Sequence, residues 1–374
     1  MFRVKTSLPK KRAINFRAAM RKKLNYFILI FSISIIFGQT EYPVEHFLEG
    51  IAVSDIAGSP DDLWIATGND GVYSFSERNG KWNHYSTANR AVDQDFFYSI
   101  DLNDNFVWAG SADGLFTFNK RRKNWQKRKF GKGGQLGNWI RVIKFDESDD
   151  CVWIGRFQFL TKLDLSTRRF TDYDLTEKKD TKTNSFRAIE IDGKNTIWFG
   201  TEGGLHKFNK RRDLNDKSST QFYDNSLNYF KGGGDKISVS ALSSTKNFLW
   251  IGLDEFKTAE NPNFNFGGLY KFDRNFTWER IDNFDGLAGN GINCLEKTGN
   301  YLWVAVYSFV DNGSKKQGKG LGILNLGTGK FKMLGNSGIP SNINKIHFDG
   351  NNIWLGADDG LYRINMRNKF ADFK

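Results

Sequence analysis

The chain has 374 residues, 39% of them hydrophobic, with 54 Lys and Arg against 42 Asp and Glu and a formal net charge of +12. The excess of base sits at the N-terminus, where residues 1–38 hold nine Lys or Arg (Arg3, Lys5, Lys10, Lys11, Arg12, Arg17, Arg21, Lys22, Lys23) and no acid. The remaining 45 basic and 42 acidic residues give about +3, which excludes the nucleic-acid partner that the whole-chain charge invites.

An apolar stretch from Tyr26 to Phe37, broken only by Ser32 and Ser34, follows the basic segment and ends at Gly38. A basic region, a short apolar core and a small residue form the pattern of a secretory signal peptide. The run is about 12 residues, whereas a membrane-spanning helix needs about 20. The expectation is a signal over residues 1–38, cleaved after Gly38, and a mature chain in the periplasm or outside the cell. Met20 is an alternative start, because Met20-Arg21-Lys22-Lys23 makes a more compact basic region. The rival reading is an uncleaved anchor over residues 24–38, and only that reading puts the protein on a membrane.

Seven times the chain then writes an apolar residue, a tryptophan and, two places on, a small residue: Trp64, Trp108, Trp153, Trp198, Trp250, Trp303 and Trp354. The gaps are 44, 45, 45, 52, 53 and 51 residues, a period that belongs to a propeller or a solenoid. The fourth repeat predicts four strands: Phe186 to Ile191, Thr196 to Gly200, Leu205 to Phe208 and Gln221 to Tyr223. Glycine turns close the hairpins at Gly203-Gly204, and at Asp70-Gly71, Asp113-Gly114, Gly267-Gly268 and Asp359-Gly360 elsewhere. An aromatic marks the fourth strand as Trp82, Trp125, Phe170, Phe222, Trp278, Phe331 or Phe370. Four antiparallel strands per unit make a propeller blade, so residues 39–374 are expected to be one all-β, seven-bladed domain.

Apolar residues flank every tryptophan on both sides, from Leu63 and Ile65 to Ile353 and Leu355. Neighbours along a strand point to opposite faces, so both faces of each sheet must be covered, as they are when blades stack. The small residue after each centre (Gly110, Gly155, Gly200, Gly252, Gly356, with Ala66 and Ala305) is expected to give room where tryptophans of adjacent blades crowd. The ring closes in one of two ways: the last repeat supplies its own strand from Lys369 to Phe373, or Tyr42 to Phe47 pairs onto the last blade. Cys151 and Cys294 lie three repeats apart, too far for a disulfide, and read as small buried residues without metal-ligating neighbours.

These residues resemble the two-component regulator propeller repeat. That repeat runs G-L-x-x-N, an apolar strand, then L-W-I-G-T-x-x-G-L. The matching stretches are Gly286-Leu287-Ala288-Gly289-Asn290, Gly338-Ile339-Pro340-Ser341-Asn342, and Ile197-Trp198-Phe199-Gly200-Thr201 with Gly204-Leu205. The resemblance implies an extracytoplasmic, sensor-like propeller, some of which bind carbohydrate. No kinase or response-regulator module follows in this sequence, so the expectation is a stand-alone binding propeller, a monomer, without signalling output of its own.

Binding residues concentrate on loops held by a rigid scaffold. Most second-to-third-strand hairpins are tight, but the fifth repeat extends from Asp254 to Phe266 and the sixth from Tyr307 to Gly320. In the third, Arg156-Phe157-Gln158-Phe159 replaces the glycine turn, and Trp139 begins the inner strand nearby. The candidate ligand-binding set at the channel mouth is therefore Trp139, Arg156, Phe157, Asp254, Phe256, Tyr307 and Phe309. Flat aromatic faces with polar edges suit a small molecule, a glycan or a peptide; alternatively the insertions pack on their own aromatics. The basic runs 120–123, 127–129 and 210–212 are placed on the opposite face, as a solvated rim or as a contact for an anionic polymer.

Catalysis has little support. His46, His84, His206 and His347 come from different repeats, and no metal, cofactor or nucleophile motif appears. The leading expectation is a non-catalytic binding propeller. A lyase or hydrolase at the channel mouth and a cell-surface scaffold remain as alternatives.

Overall fold

The computed structural model describes residues 43–256, 264–310, 315–335 and 338–366. Seven four-stranded antiparallel sheets form the blades. The inner strands are Val53–Ser59, Phe97–Leu102, Ile140–Asp146, Phe186–Asp192, Val239–Ser244, Gly291–Thr298 and Ile343–Phe348, in blades 1 to 7. They pack in cyclic order, and the seventh meets the first. In blade 4 the strands are Phe186–Asp192, Thr196–Thr201, Gly204–Asn209 and Thr220–Tyr223, each bound within a residue of expectation.

The apolar stripe explains the stacking. The residues on either side of each tryptophan are 0% exposed, and the tryptophans themselves are at most 3% exposed. Each such aliphatic side chain contributes about 1.5–3 kcal/mol. The small residue has a different reason from the expected one. A Cβ on Gly155 would lie 2.5 Å from Val142 and 2.6 Å from Phe186, and one on Gly110 would lie 2.4 Å from Ile140. The glycine therefore admits the first inner-strand residue of the next blade, not a neighbouring tryptophan.

Ring closure uses the N-terminal segment. Val44–Phe47 pairs antiparallel with Gly360–Asn365 and becomes the outer strand of blade 7, with Phe47 opposite Leu361. Phe47 packs against Trp354 at 5.8 Å and reaches Phe75 and Trp82 of blade 1. Arg363 pairs with Glu45 and, at 3.5 Å, with Glu77 of blade 1. The alternative strand from Lys369 to Phe373, with Phe370, lies outside the described residues, as do residues 1–42. Among the described residues no helix is long and apolar enough to cross a membrane.

Every inner strand carries a β-bulge after its first core residue, between Val53 and Asp55 in blade 1 and Ile343 and Lys345 in blade 7. A bulge re-aims one side chain. Here the re-aimed residues are Ser54, Tyr98, Arg141, Arg187, Ser240, Asn293 and Asn344, and most reach the next blade. Asn293 donates to Ile343 O at 2.8 Å, Asn344 to Val53 O at 3.1 Å and Ser240 to Ile292 O at 2.5 Å.

Candidate ligand site at the channel mouth

The described residues of the two long insertions extend the ladders of their hairpins. Leu249–Phe256 pairs with Asn265–Phe272, and Tyr301–Val310 with Lys315–Asn325, as hairpin arms that rise above the other blades. Alternation along each arm then puts Asp254 with Phe256, and Tyr307 with Phe309, on common faces. Both arms face a cavity of about 380 Å³ whose lining includes those four residues with Lys182, Arg187, Glu202 and Lys316.

Arg187, re-aimed by its bulge, pairs with Asp254 at 2.7 Å. Burial works against its charge, but the adjacent Asp254 carboxylate more than restores it and holds the guanidinium protonated. The Tyr307 hydroxyl donates to the same carboxylate at 2.9 Å and accepts from Glu255 N at 3.2 Å. Burial and that carboxylate raise its pKa well above the ordinary value. Tyr307 is only 2% exposed, so it sets the floor and positions Asp254. The rings of Phe264, Phe256 and Phe309 follow edge to face at 5.9 and 5.6 Å.

Two lysines at this cavity have no carboxylate partner among the described residues. Lys316 donates to Asn293 Oδ1 at 2.8 Å and lies 4.1 Å from the Tyr307 ring, and burial pulls its pKa down. Lys182 lies 5.3 Å from the Phe264 ring. They supply unpaired positive charge beside flat apolar faces.

The other predicted residues divide. Trp139 and Phe157 stack at 5.0 Å with 3° between planes, and Tyr98 continues the strip at 5.4 Å from Trp139. Arg141 sits 5.5 Å from Trp139 and 5.6 Å from Phe157, and pairs with Glu202 at 2.7 Å. That pair joins the strip to the cavity. Arg156 is placed otherwise than expected: it is 0% exposed. It pairs with Asp172 at 2.9 Å, donates to Gly137 O at 2.7 Å and covers Phe130 at 4.6 Å. A cation in an apolar seam needs such partners, so its guanidinium faces protein instead of ligand.

Sequence reading missed Arg141, Arg187, Lys182 and Lys316. The available signal was the residue after the first apolar residue of each inner strand, polar or aromatic in all seven repeats. It also missed the channel below. Lys345 pairs with Asp55 at 2.8 Å. Asp55 accepts from Ile100 N at 2.9 Å, Asp101 from Phe145 N at 2.7 Å and Glu190 from Ser244 N at 2.7 Å, so carboxylates of one blade hold backbone donors of the next. Lys144 stands among Asp101, Glu190 and Glu296, and burial pushes the Glu296 carboxyl up to about 7.

The histidines are structural. The Nε2–H groups of His206 and His347 donate to backbone oxygens 2.8 Å away, and burial takes both down to about 4. Burial pushes Cys151 up to about 12 and Cys294 to about 11, so both stay thiols. Contrary to expectation Cys151 does have ligand-type neighbours, Asp146 and Asp149. The Lys210 ammonium already occupies that place, 2.5 Å from Asp146 and 3.1 Å from Asp149. The lysines at the ends of the basic runs are likewise engaged. Lys120 pairs with Asp62 of blade 1, and Lys127 and Lys129 pair with Asp113 in the second-to-third-strand hairpin of blade 2. The run 127–129 thus reaches the channel-mouth face instead of the opposite one.

The molecule superposes on two structures of an extracellular domain from B. thetaiotaomicron, BT4673. One is described as part of a one component system and the other as part of a hybrid two component system. The TM-scores are 0.63 and 0.62, with 18% identity in both cases. The match is in the fold. It covers 87% of this chain and 40% and 39% of those domains, so the chain spans less than half their length. A structure of YCF48 bound to D1 peptide matches with a TM-score of 0.62 at 12% identity, covering 88% of this chain and 98% of that one. Neither a protein-family model nor a curated protein sequence matches the chain.

Proposed function

We propose that the protein is an exported, non-catalytic, sensor-like propeller that binds a ligand in the mouth cavity between blades 4, 5 and 6. One observation carries the reading: aromatic walls from Phe256, Phe264 and Phe309 converge on a space of about 380 Å³ with the ammonium groups of Lys182 and Lys316, which have no ion-pair partner among the described residues. That volume lies in the range of small-ligand sites, and flat rings beside a few directed polar groups suit a glycan or another small polar ligand. The extracellular setting of the BT4673 domains supports export, and the peptide on YCF48 shows that a propeller of this shape can serve as a binding module. The matched part of BT4673 is a minority of its length, so the ligand is argued from this chain's own residues.

The catalytic alternative is disfavoured by the state of its candidates. The channel carboxylates hold backbone donors, and His206 and His347 are held neutral by burial. The test is a thermal-shift screen of glycans and metabolites on residues 39–374, followed by a turnover assay on any hit. Stabilisation rising with ligand concentration, without turnover, supports the reading. Turnover lost on mutating channel residues would replace it with the enzymatic one.

A further inference from the structure

A second cleft follows the outer seam between blades 2 and 3, on a part of the molecule the mouth cavity does not reach. Two features fill or lock most seams. The first is the outer-strand residue opposite the leading leucine or valine of the third strand: Tyr85, Tyr173, Tyr223 and Phe47 in blades 1, 3, 4 and 7. These rings plug the wedge over the neighbouring tryptophan, as Tyr85 does by stacking on Trp64 at 5.6 Å. Blade 2 has Arg128 there and blade 5 has Ile281.

The second feature is a cation just past the third strand that reaches back to an acid of the preceding blade. Lys120 meets Asp62, Lys210 meets Asp146 and Arg274 meets Asp192. Asp62 and Asp192 also accept the indole N–H of Trp64 and Trp198, at 2.7 and 2.8 Å. At the positions corresponding to Lys120 and Lys210, blades 3 and 6 carry Leu165 and Leu326, which make the same backbone bond to the preceding turn. Blade 6 has Leu334 at the plug position and blade 7 has Met366 at the lock position, so the seams without plug and lock are 2/3, 5/6 and 6/7, of which the first two hold clefts of about 460 and 820 Å³.

Their chemistry differs. The 5/6 cleft carries acids beside its bases, with Lys271 paired to Glu279 at 2.9 Å and Arg280 paired to Asp282. No carboxylate lines the 2/3 cleft, and Arg122, Arg128 and Arg168 make no ion pair among the described residues. Arg128 lies 3.9 Å over the Phe170 ring, which fixes the guanidinium plane and leaves its edge free for an anion. The floor is apolar and flat, from Phe106, Trp108 and Phe170.

We infer that the seam between blades 2 and 3 is a second binding site, for a small organic anion with a flat apolar body, such as an aryl carboxylate or sulfonate. The ring of the ligand takes the place of the missing tyrosine, and its anionic group meets Arg122, Arg128 and Arg168 through charge-assisted hydrogen bonds.

The test is calorimetric titration of the full chain at low salt with naphthalene-2-sulfonate, against the neutral isostere naphthalene-2-sulfonamide. The inference expects saturable one-to-one binding of the sulfonate, and affinity at least about tenfold weaker for the sulfonamide and for Arg168→Gln. Arg128→Tyr, which restores the plug of blades 1, 3 and 4, abolishes binding while the melting temperature holds or rises. Lys316→Ala in the mouth cavity leaves the titration unchanged. Equal affinity for the two probes overturns the inference, as does unchanged binding in Arg128→Tyr or in Arg168→Gln, or no binding of the sulfonate at all.

Discussion

The seam lock at Lys210 gives a prediction with a defined magnitude. The Lys210 and Asp146 side chains are 2% and 1% exposed, and the ammonium also donates to Ser148 Oγ at 2.7 Å. Burial raises the Asp146 carboxyl, but hydrogen bonds from Lys210 and Ser148 outweigh it and hold the group below its ordinary value. Lys210→Met removes the cation and leaves a buried carboxylate. Breaking one side of such a pair costs about 3–5 kcal/mol. Asp146 keeps the Ser148 donors, at 2.7 Å from Oγ and 3.2 Å from N, so the lower end, about 3 kcal/mol, applies. Asp146→Asn combined with Lys210→Met removes both charges, and recovers all but about 1 kcal/mol. Urea unfolding followed by tryptophan fluorescence reads the midpoints, with the slope m as the check that compactness is unchanged. If Lys210→Met unfolds within about 0.5 kcal/mol of the wild type, or the double variant is no more stable than the single one, the lock is not a buried ion pair.

Gly155→Ala is expected to cost about 1–3 kcal/mol by overpacking, because its Cβ would meet Val142 and Phe186; the same unfolding assay measures it. Phe47→Ala, at the half-buried ring closure, should cost about 2 kcal/mol and raise amide exchange in Gly360–Asn365 before other strands. Burial pushes Glu296 up to about 7, so between about pH 4.5 and 7 the folded state binds the proton more tightly and stability falls as pH rises. Glu296→Gln should therefore gain about 1–3 kcal/mol relative to wild type between pH 5 and pH 8, measured as a difference so that the histidine contributions cancel.

The fold was legible because its signal is repeated. The tryptophan, its two apolar neighbours and the small residue recur seven times, and stacking follows from having two dry faces. The reason for the glycine was not legible, since the residue it admits (Phe186 for Gly155) comes from the next repeat. Closure was ambiguous because both chain ends offered a strand, and the aromatic fit of Phe47 against Trp354 is a three-dimensional fact.

At the mouth, interruptions of the repeat located Asp254, Phe256, Tyr307 and Phe309 on one cavity. The same logic failed for Arg156, whose partner Asp172 lies two strands away on the outer strand of the same blade. Arg141 and Arg187 went unread because a bulge, not the strand period, decides where they point. Periodicity assigns a side to each residue of a regular strand, and a single inserted residue reverses it.

The mouth cavity is the central claim, and one titration addresses it directly. A ligand found by thermal shift is titrated calorimetrically into wild type and Lys316→Met. Lys316 is exposed, lies over the Tyr307 ring and among the described residues its side chain hydrogen-bonds only to Asn293, so its loss leaves the blade intact. The account predicts an affinity at least about tenfold weaker with an unchanged melting temperature. Equal affinity in the two proteins would place the ligand elsewhere and contradict it.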